Sequence, residues 1–459
     1  MSEIRIINRI GILLSWPREL DMYQALIENI PSDLVIVIDD FIYTESERSG
    51  NVKNIVGLVD GKLEYVLLSK IFGKLKYNIL FSTAQTFQER FTFSSYFKYY
   101  YAVSIGRLLL FSRLSNLFLK IMKRPLTGGG AQAKKFERHQ IERKIGVKII
   151  RYPKGLDVSR LVYPAQRWDG IFDMHLCHGN IDKDLILNKF VDANCVKIGY
   201  PKYDNSPSTK FSKKTIIDEF KSIDSSKPLL LWMPTHVKFK SESLDNINLW
   251  SPIVRQILDK YNVLVRPHPK SIAVNPKIVN NLQGLGFTVD VKRNRELKTL
   301  YQAADLVLAD YGGSVLSAIY MRKKLILLNM PDSSEFARWR KDGMYVDNSV
   351  RNNVDAFYDN NGTALIKKIE EEIMSNDVKI NSLRIKYFGD EEDCDNIADI
   401  LQKLIKKTKD LHTTLLFLHP THQKLQFCLL FKRLRILTLN GYYQRTKQNY
   451  LNKLLTLKF

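Results

Sequence analysis

The chain alternates apolar runs of strand length with stretches of helical periodicity, which restricts the fold to parallel sheets joined by crossover helices. In the first half, residues 10–14, 34–38, 65–68, 78–81, 147–150 and 170–176 read as buried strands. Residues 18–30 place Leu20, Tyr23, Leu26 and Ile27 at helical spacing, and residues 104–124 do the same with Leu110, Leu114, Leu117, Phe118 and Ile121. After a polar linker at 206–227, which holds a short basic helix, a second series follows. Its strands are expected at 229–233, 263–265, 288–291, 306–309 and 325–329, with helices at 252–260, 297–304 and 315–321 between them. Further helical patterns lie at 364–374 and 395–407. The expected architecture is α/β, with two Rossmann-like doubly wound domains at 1–205 and 206–390, a closing helix within 391–410 and a tail at 411–459.

Composition narrows the class. At 459 residues two or three domains are expected, and 23 Phe, 22 Tyr and 5 Trp exclude an intrinsically disordered chain. No run approaches the roughly 18 apolar residues of a spanning helix, which excludes a multi-span membrane protein. Residues 10–14 are too short for a secretory h-region, so a cytoplasmic location is expected. The cysteines, Cys177, Cys195, Cys394 and Cys428, form no CxxC pair and read as reduced, unpaired thiols.

Charge points to the partners. There are 70 Lys and Arg against 48 Asp and Glu, a net charge of +22, which favours negatively charged partners. Residues 411–459 contain no acidic residue and eight basic ones, interleaved with Phe417, Phe427, Phe431, Tyr442, Tyr443, Tyr450 and Phe459. That pattern fits a segment lying on an anionic membrane surface. The helix at 104–124, with Arg107, Arg113, Lys120, Lys123 and Arg124 around its apolar face, fits either the same surface or a solvated rim. Basic residues among aromatics also suit nucleic acid, but no nucleic-acid-binding module is recognisable, and none is expected as a partner.

Three strand tips carry candidate chemistry. The run Asp310-Tyr311-Gly312-Gly313-Ser314 joins a strand to a helix, a turn whose backbone amides and helix N-terminus suit a phosphate. Ser314 is placed either to cap that helix or to donate its hydroxyl. Arg266-Pro267-His268-Pro269 ends another strand and presents a guanidinium and an imidazole. Thr235 and His236 end a third. Each has an ordinary structural alternative: a capped turn for the glycines, and hydrogen bonding within the loop for His268 and His236. No Asp-x-Asp or His cluster occurs in these segments, so neither a metal nor a cofactor is expected.

These tips, in order and spacing, resemble the C-terminal domain of the CDP-glycerol glycerophosphotransferase family, which includes teichoic acid primases and polymerases and related capsule enzymes. Gly199-Tyr200-Pro201-Lys202-Tyr203-Asp204 is similar to the family's Gly-x-Pro-Arg/Lys-x-Asp element, and Phe388-Gly389-Asp390 opens an acidic segment like the one before its last helix. The resemblance covers roughly residues 145–407. It implies the GT-B fold, in which two Rossmann-like domains face a central cleft. It also implies transfer of a polyol phosphate, glycerol or ribitol, from a CDP-linked donor to a hydroxyl of a lipid-linked or polymer acceptor, with release of CMP. Arg266 and His268 would then contact the donor phosphates, and Asp310, Gly312, Gly313 and Ser314 would line the nucleotide pocket. A GT-B glycosyltransferase using another nucleotide-linked donor and a non-catalytic descendant are the alternatives. Such an enzyme would sit peripherally on the inner face of the cell membrane.

The chain departs from that pattern at the general base. Where the family has His-Gly after a strand of the first domain, this chain reads Lys154-Gly155. A His178-Gly179 pair follows the next strand. Three accounts stand open: His178 is the base, Lys154 takes a different role, or the usual chemistry is lost.

Overall fold

The computed structural model describes residues 4–14, 22–23, 26–27, 34–40, 43, 64–83, 138–153, 172–187, 190–204, 209–235, 246–292, 295–310, 312–329, 350, 353–354, 356–390, 399–400 and 402–403. Lys154, His236, the helix expected at 104–124, the tail at 411–459 and most of 391–410 lie outside them. The chain divides into a compact unit, Met1–Ile400, and a second unit, Leu401–Phe459. The first unit carries two sheets.

Sheet one consists of β1 (Arg5–Leu14), β2 (Leu34–Ile38), β3 (Glu64–Leu67), β4 (Leu75–Ser82), β5 (Gly146–Arg151), β6 (Met174–Cys177) and β7 (Cys195–Lys197). Sheet two consists of β8 (Leu229–Met233), β9 (Asn262–Val265), β10 (Thr288–Val289), β11 (Leu306–Ala309), β12 (Leu325–Leu328) and β13 (Ala356–Phe357). Their orders are β3-β2-β1-β4-β5-β6-β7 and β10-β9-β8-β11-β12-β13, and every pairing is parallel. Each sheet therefore starts in its middle and winds first one way, then the other. Its switch points lie between β1 and β4 and between β8 and β11, where open α/β sheets bind ligands beyond the carboxyl ends of the strands.

The described helices are α1 (Leu68–Ile71), α2 (Arg138–Ile145), α3 (Asn180–Leu187), α4 (Thr209–Glu219), α5 (Asn246–Arg255), α6 (Pro269–Val274), α7 (Lys277–Gly284), α8 (Leu297–Ala303), α9 (Gly313–Tyr320), α10 (Gly362–Met374) and α11 (Val378–Phe388). Sheet two is buried on both faces, as a parallel sheet requires. Alternate residues of each strand enter opposite cores: Leu229, Leu231, Val307, Ala309, Leu325 and Leu327 pack on one side, and Leu230, Trp232, Leu306, Leu308, Ile326 and Leu328 on the other. Each Leu, Ile or Val side chain among them contributes about 1.5–3 kcal/mol by leaving water.

The expected elements differ from the observed ones in ways that burial explains. The helix expected at 252–260 begins instead at Asn246, with Pro252 inside it. Ile247, Trp250, Ile253 and Val254 form one buried face, and its burial outweighs the loss of one backbone donor at proline. The strand expected from residue 170 starts at Met174. The strands β7 and β13, with three and two residues, are too short to stand out in the sequence. Helix α11 carries buried Ile380, Leu383, Arg384 and Tyr387 at helical spacing, and an arginine within the stripe hides its periodicity.

Helix α11 also joins the two halves of the unit. Its last residue, Phe388, shares one core with Ile181 and Leu185 of α3 and with the strands of sheet two. Gly179 allows this approach, since a Cβ there would lie 2.3 Å from Phe388 Cα and 2.5 Å from its carbonyl oxygen. Backbone cannot move aside as a side chain can. Gly179→Ala is therefore expected to destabilise the protein by about 1–3 kcal/mol through overpacking, measured as a lower midpoint in urea unfolding; an unchanged midpoint would contradict this seating.

Candidate functional site

At the switch point of sheet two, the tips of β8 and β11 are tied by one carboxylate. Asp310, 1% exposed, accepts hydrogen bonds from the Thr235 backbone amide at 3.0 Å on each oxygen and from Asn246 Nδ2 at 2.7 Å. It thereby holds the ends of two neighbouring strands and the first residue of α5. A hydrogen bond to a charged group of this kind contributes about 1.5–3 kcal/mol.

The turn after Asp310 reaches α9 through Gly312, whose φ of 80° and ψ of −144° exclude a side chain in practice. Gly312, not Ser314, is the N-cap residue of α9. Ser314 lies in the first turn instead, because the helix already starts at Gly313, directly after the positive φ of Gly312. Among the described residues, none lies within 4 Å of where a Cβ at Gly312 would stand. The first amides of a helix lack partners within it and favour anions.

On the other side of β8, the tip of β9 is fixed by a chain of ions that is buried at Arg266 and Asp290 and ends at the exposed Glu219. Arg266 donates from Nη1 to Asp290 Oδ2 at 2.7 Å and from Nη2 to the Lys292 carbonyl at 3.0 Å. Asp290, 1% exposed, also accepts from Arg295 Nε and Nη2, each at 3.0 Å. Arg295 in turn forks onto both oxygens of Glu219 at 2.6 and 2.7 Å. The Arg295 hydrogen bonds hold the Glu219 carboxyl below its ordinary pKa against the opposing effect of burial. Arg266 is thus engaged along both terminal nitrogens, and the turn it anchors carries His268, which is partly exposed. The His268 carbonyl accepts from Ser271 N at 2.8 Å as α6 begins.

His178 lies elsewhere, at the carboxyl end of β6 in sheet one. It is 2% exposed, its Nδ1 is 3.1 Å from Asp182 Oδ2, and its backbone amide donates to the same oxygen at 2.9 Å. The Tyr200 ring stands edge-on to it at 4.6 Å. Burial acts to raise the Asp182 pKa, but the hydrogen bonds from His178 outweigh it and hold the carboxyl below its usual value. Among the described residues, Nε2 of His178 has no hydrogen-bond partner. The arrangement, a carboxylate on Nδ1 and an unengaged Nε2, is that of an oriented imidazole.

The structure therefore gathers Thr235, Arg266, His268, Asp310, Gly312, Gly313 and Ser314 at the carboxyl edge of sheet two and sets His178 on sheet one. Asp182, Asn246, Asp290 and Arg295 were not among the sequence candidates. Only Asp182 had a visible signal, its i+4 spacing from His178. Among the described residues, no group of three or more His, Cys, Asp or Glu is placed to hold a metal ion.

With this geometry in place, comparison with known proteins assigns the family. The family model described as CDP-Glycerol:Poly(glycerophosphate) glycerophosphotransferase matches residues 143–400, more than half of the chain. The chain belongs to that family. It is an enzyme of the glycerophosphotransferase type. Among solved structures, the wall teichoic acid polymerase TagF aligns with a TM-score of 0.53 at 14% identity, over 88% of this chain and 90% of TagF. A TagF variant soaked with CDPG aligns with a TM-score of 0.53 at 13% identity, over 89% and 90%. At that identity the likeness is one of fold, and the fold is GT-B. No curated protein sequence matches the chain significantly.

Three outcomes follow for the glycerophosphotransferase. Asp290→Asn leaves Arg266 and Arg295 buried beside a neutral amide and is expected to cost about 3–5 kcal/mol in urea unfolding. Glu219→Gln, at the more exposed end of the chain of ions, is expected to cost about 1 kcal/mol or less. Asp182 and Glu219 have lowered folded pKa values, so their stabilisation is present above the ordinary carboxylate value of about 4. It is lost as pH falls through the lower folded values. Acid unfolding of Asp182→Asn should accordingly depend less steeply on pH below about 4 than that of the wild type.

Proposed function

We propose that the enzyme transfers a polyol phosphate, glycerol or ribitol phosphate, from its CDP-linked donor to a hydroxyl of a membrane-linked surface-polymer acceptor, releasing CMP. The observation that carries this reading is the convergence of Thr235, His268, Asp310 and the 312–314 turn on one switch-point edge, within the segment matched by the family model. The acceptor hydroxyl attacks the donor's β-phosphorus in line, the bond to the CMP oxygen breaks, and CMP leaves. Charge spreading over the phosphate oxygens is stabilised by the amides at the start of α9 and by His268. Arg266 acts by holding the β9 tip, so that His268 meets the donor already positioned.

His178 serves as the general base in this reading. Asp182 on Nδ1 orients the ring, which leaves Nε2 to take the acceptor proton. Lys154 binds acceptor phosphate. The basic segments at 104–124 and 411–459 keep the enzyme at the inner membrane face, where a lipid-linked acceptor is found. No described helix is long and apolar enough to cross a membrane.

The test is CMP release from CDP-glycerol and CDP-ribitol with a lipid-linked acceptor. One of the two is expected to support turnover, whereas His268→Ala and His178→Ala each lower kcat about 100-fold or more, the usual scale for losing acid–base or charge-stabilising groups. Absence of CMP release from either donor, with turnover of a UDP- or GDP-sugar instead, would replace this reading with glycosyl transfer. Unchanged polymer formation in cells carrying both variants would favour a non-catalytic role.

A further inference from the structure

Asn246 opens α5 at the same edge and is 4% exposed. Its Nδ2 donates to Asp310 Oδ2 at 2.7 Å. Because a carboxylate facing a backbone amide on both oxygens only accepts, the orientation of the Asn246 amide is settled: nitrogen toward Asp310, oxygen away from it. That oxygen, Oδ1, is buried and has no hydrogen-bond partner among the described residues. Buried carbonyl oxygens without a donor are rare and destabilising in folded proteins. This one lies beside the switch point, bonded through Asp310 to the strand tip that leads into the turn at Gly312.

The surroundings define what can satisfy it. The Asp310 carboxylate on the other branch of the amide repels phosphate, so the missing partner is a neutral or positive N–H or O–H group. A nucleotide offers such groups on its ribose and on its base, while its phosphates go to the start of α9. We propose that Asn246 reads the nucleotide of the donor, Oδ1 accepting a hydrogen bond from a ribose hydroxyl or from the exocyclic amine of cytosine. This rests on the reading of the edge as the donor site.

Calorimetric titration of the full chain with CMP, 2′-deoxy-CMP, UMP and inorganic pyrophosphate tests it. The wild type is expected to bind CMP about tenfold or more tightly than whichever analogue lacks the group that Oδ1 accepts. Asn246→Ala should bind CMP about tenfold more weakly, lose that discrimination and keep its pyrophosphate affinity. Loss of discrimination against 2′-deoxy-CMP assigns the ribose, and loss against UMP assigns the base amine. Asn246→Ser, whose hydroxyl can still accept, should recover part of the CMP affinity. Undiminished discrimination in Asn246→Ala overturns the proposal, and so does an equal loss of pyrophosphate binding, which would make Asn246 a prop for the edge as a whole. Failure of the wild type to bind CMP would instead overturn the donor-site reading beneath it.

Discussion

Within each sheet every strand runs in the same direction, and the rest of the molecule follows from that constraint. A parallel sheet delivers the beginnings of all its loops to one edge, and a strand order that starts in the middle leaves a gap between the two strands where winding reverses. In sheet two those strands are β8 and β11. The Thr235 amide released there needs a partner, and Asp310 supplies it while also accepting from the Asn246 side chain. One carboxylate therefore fixes two strand tips and a helix start beside the turn at Gly312.

The edge is rigid where it needs position and bare where it needs a ligand. The ions Arg266, Asp290, Arg295 and Glu219 link β9, the residue after β10, the approach to α8 and the end of α4. Their worth is mainly geometric, because a buried ion pair gains little net stability over an apolar replacement, whereas breaking one is costly. The turn carrying His268 is thus held from beneath. The pairing of His178 with Asp182 on sheet one is a second preset element, and Gly179 lets α11 pack directly against it.

Much of this was legible in the sequence, for identifiable reasons. Apolar runs such as 229–233 and 306–309 are fully buried strands of a parallel sheet and read as continuous hydrophobic blocks. The tips stood out because glycine and proline punctuate them. What stayed hidden was whatever depends on partners distant in sequence. Asp290 and Arg295 become a network only when β9 and β10 are paired, and Asn246 gains meaning only when α5 meets Asp310, 64 positions later. The engaged state of Arg266 was equally invisible, since a guanidinium at a strand tip reads the same whether it faces ligand or carboxylate. Helix α11 escaped because Arg384, stacked 4.2 Å over the Tyr320 ring, occupies an apolar position of the stripe.

The central claim is that the donor nucleotide occupies the carboxyl edge of sheet two between β8 and β11. Hydrogen–deuterium exchange with and without CDP-glycerol tests it most directly. The account predicts slowed exchange in peptides containing Thr235, His268 and residues 312–316, with the peptides of β1 to β3 unchanged. Slowed exchange confined to the strand tips of sheet one, with no change at those three segments, would contradict it.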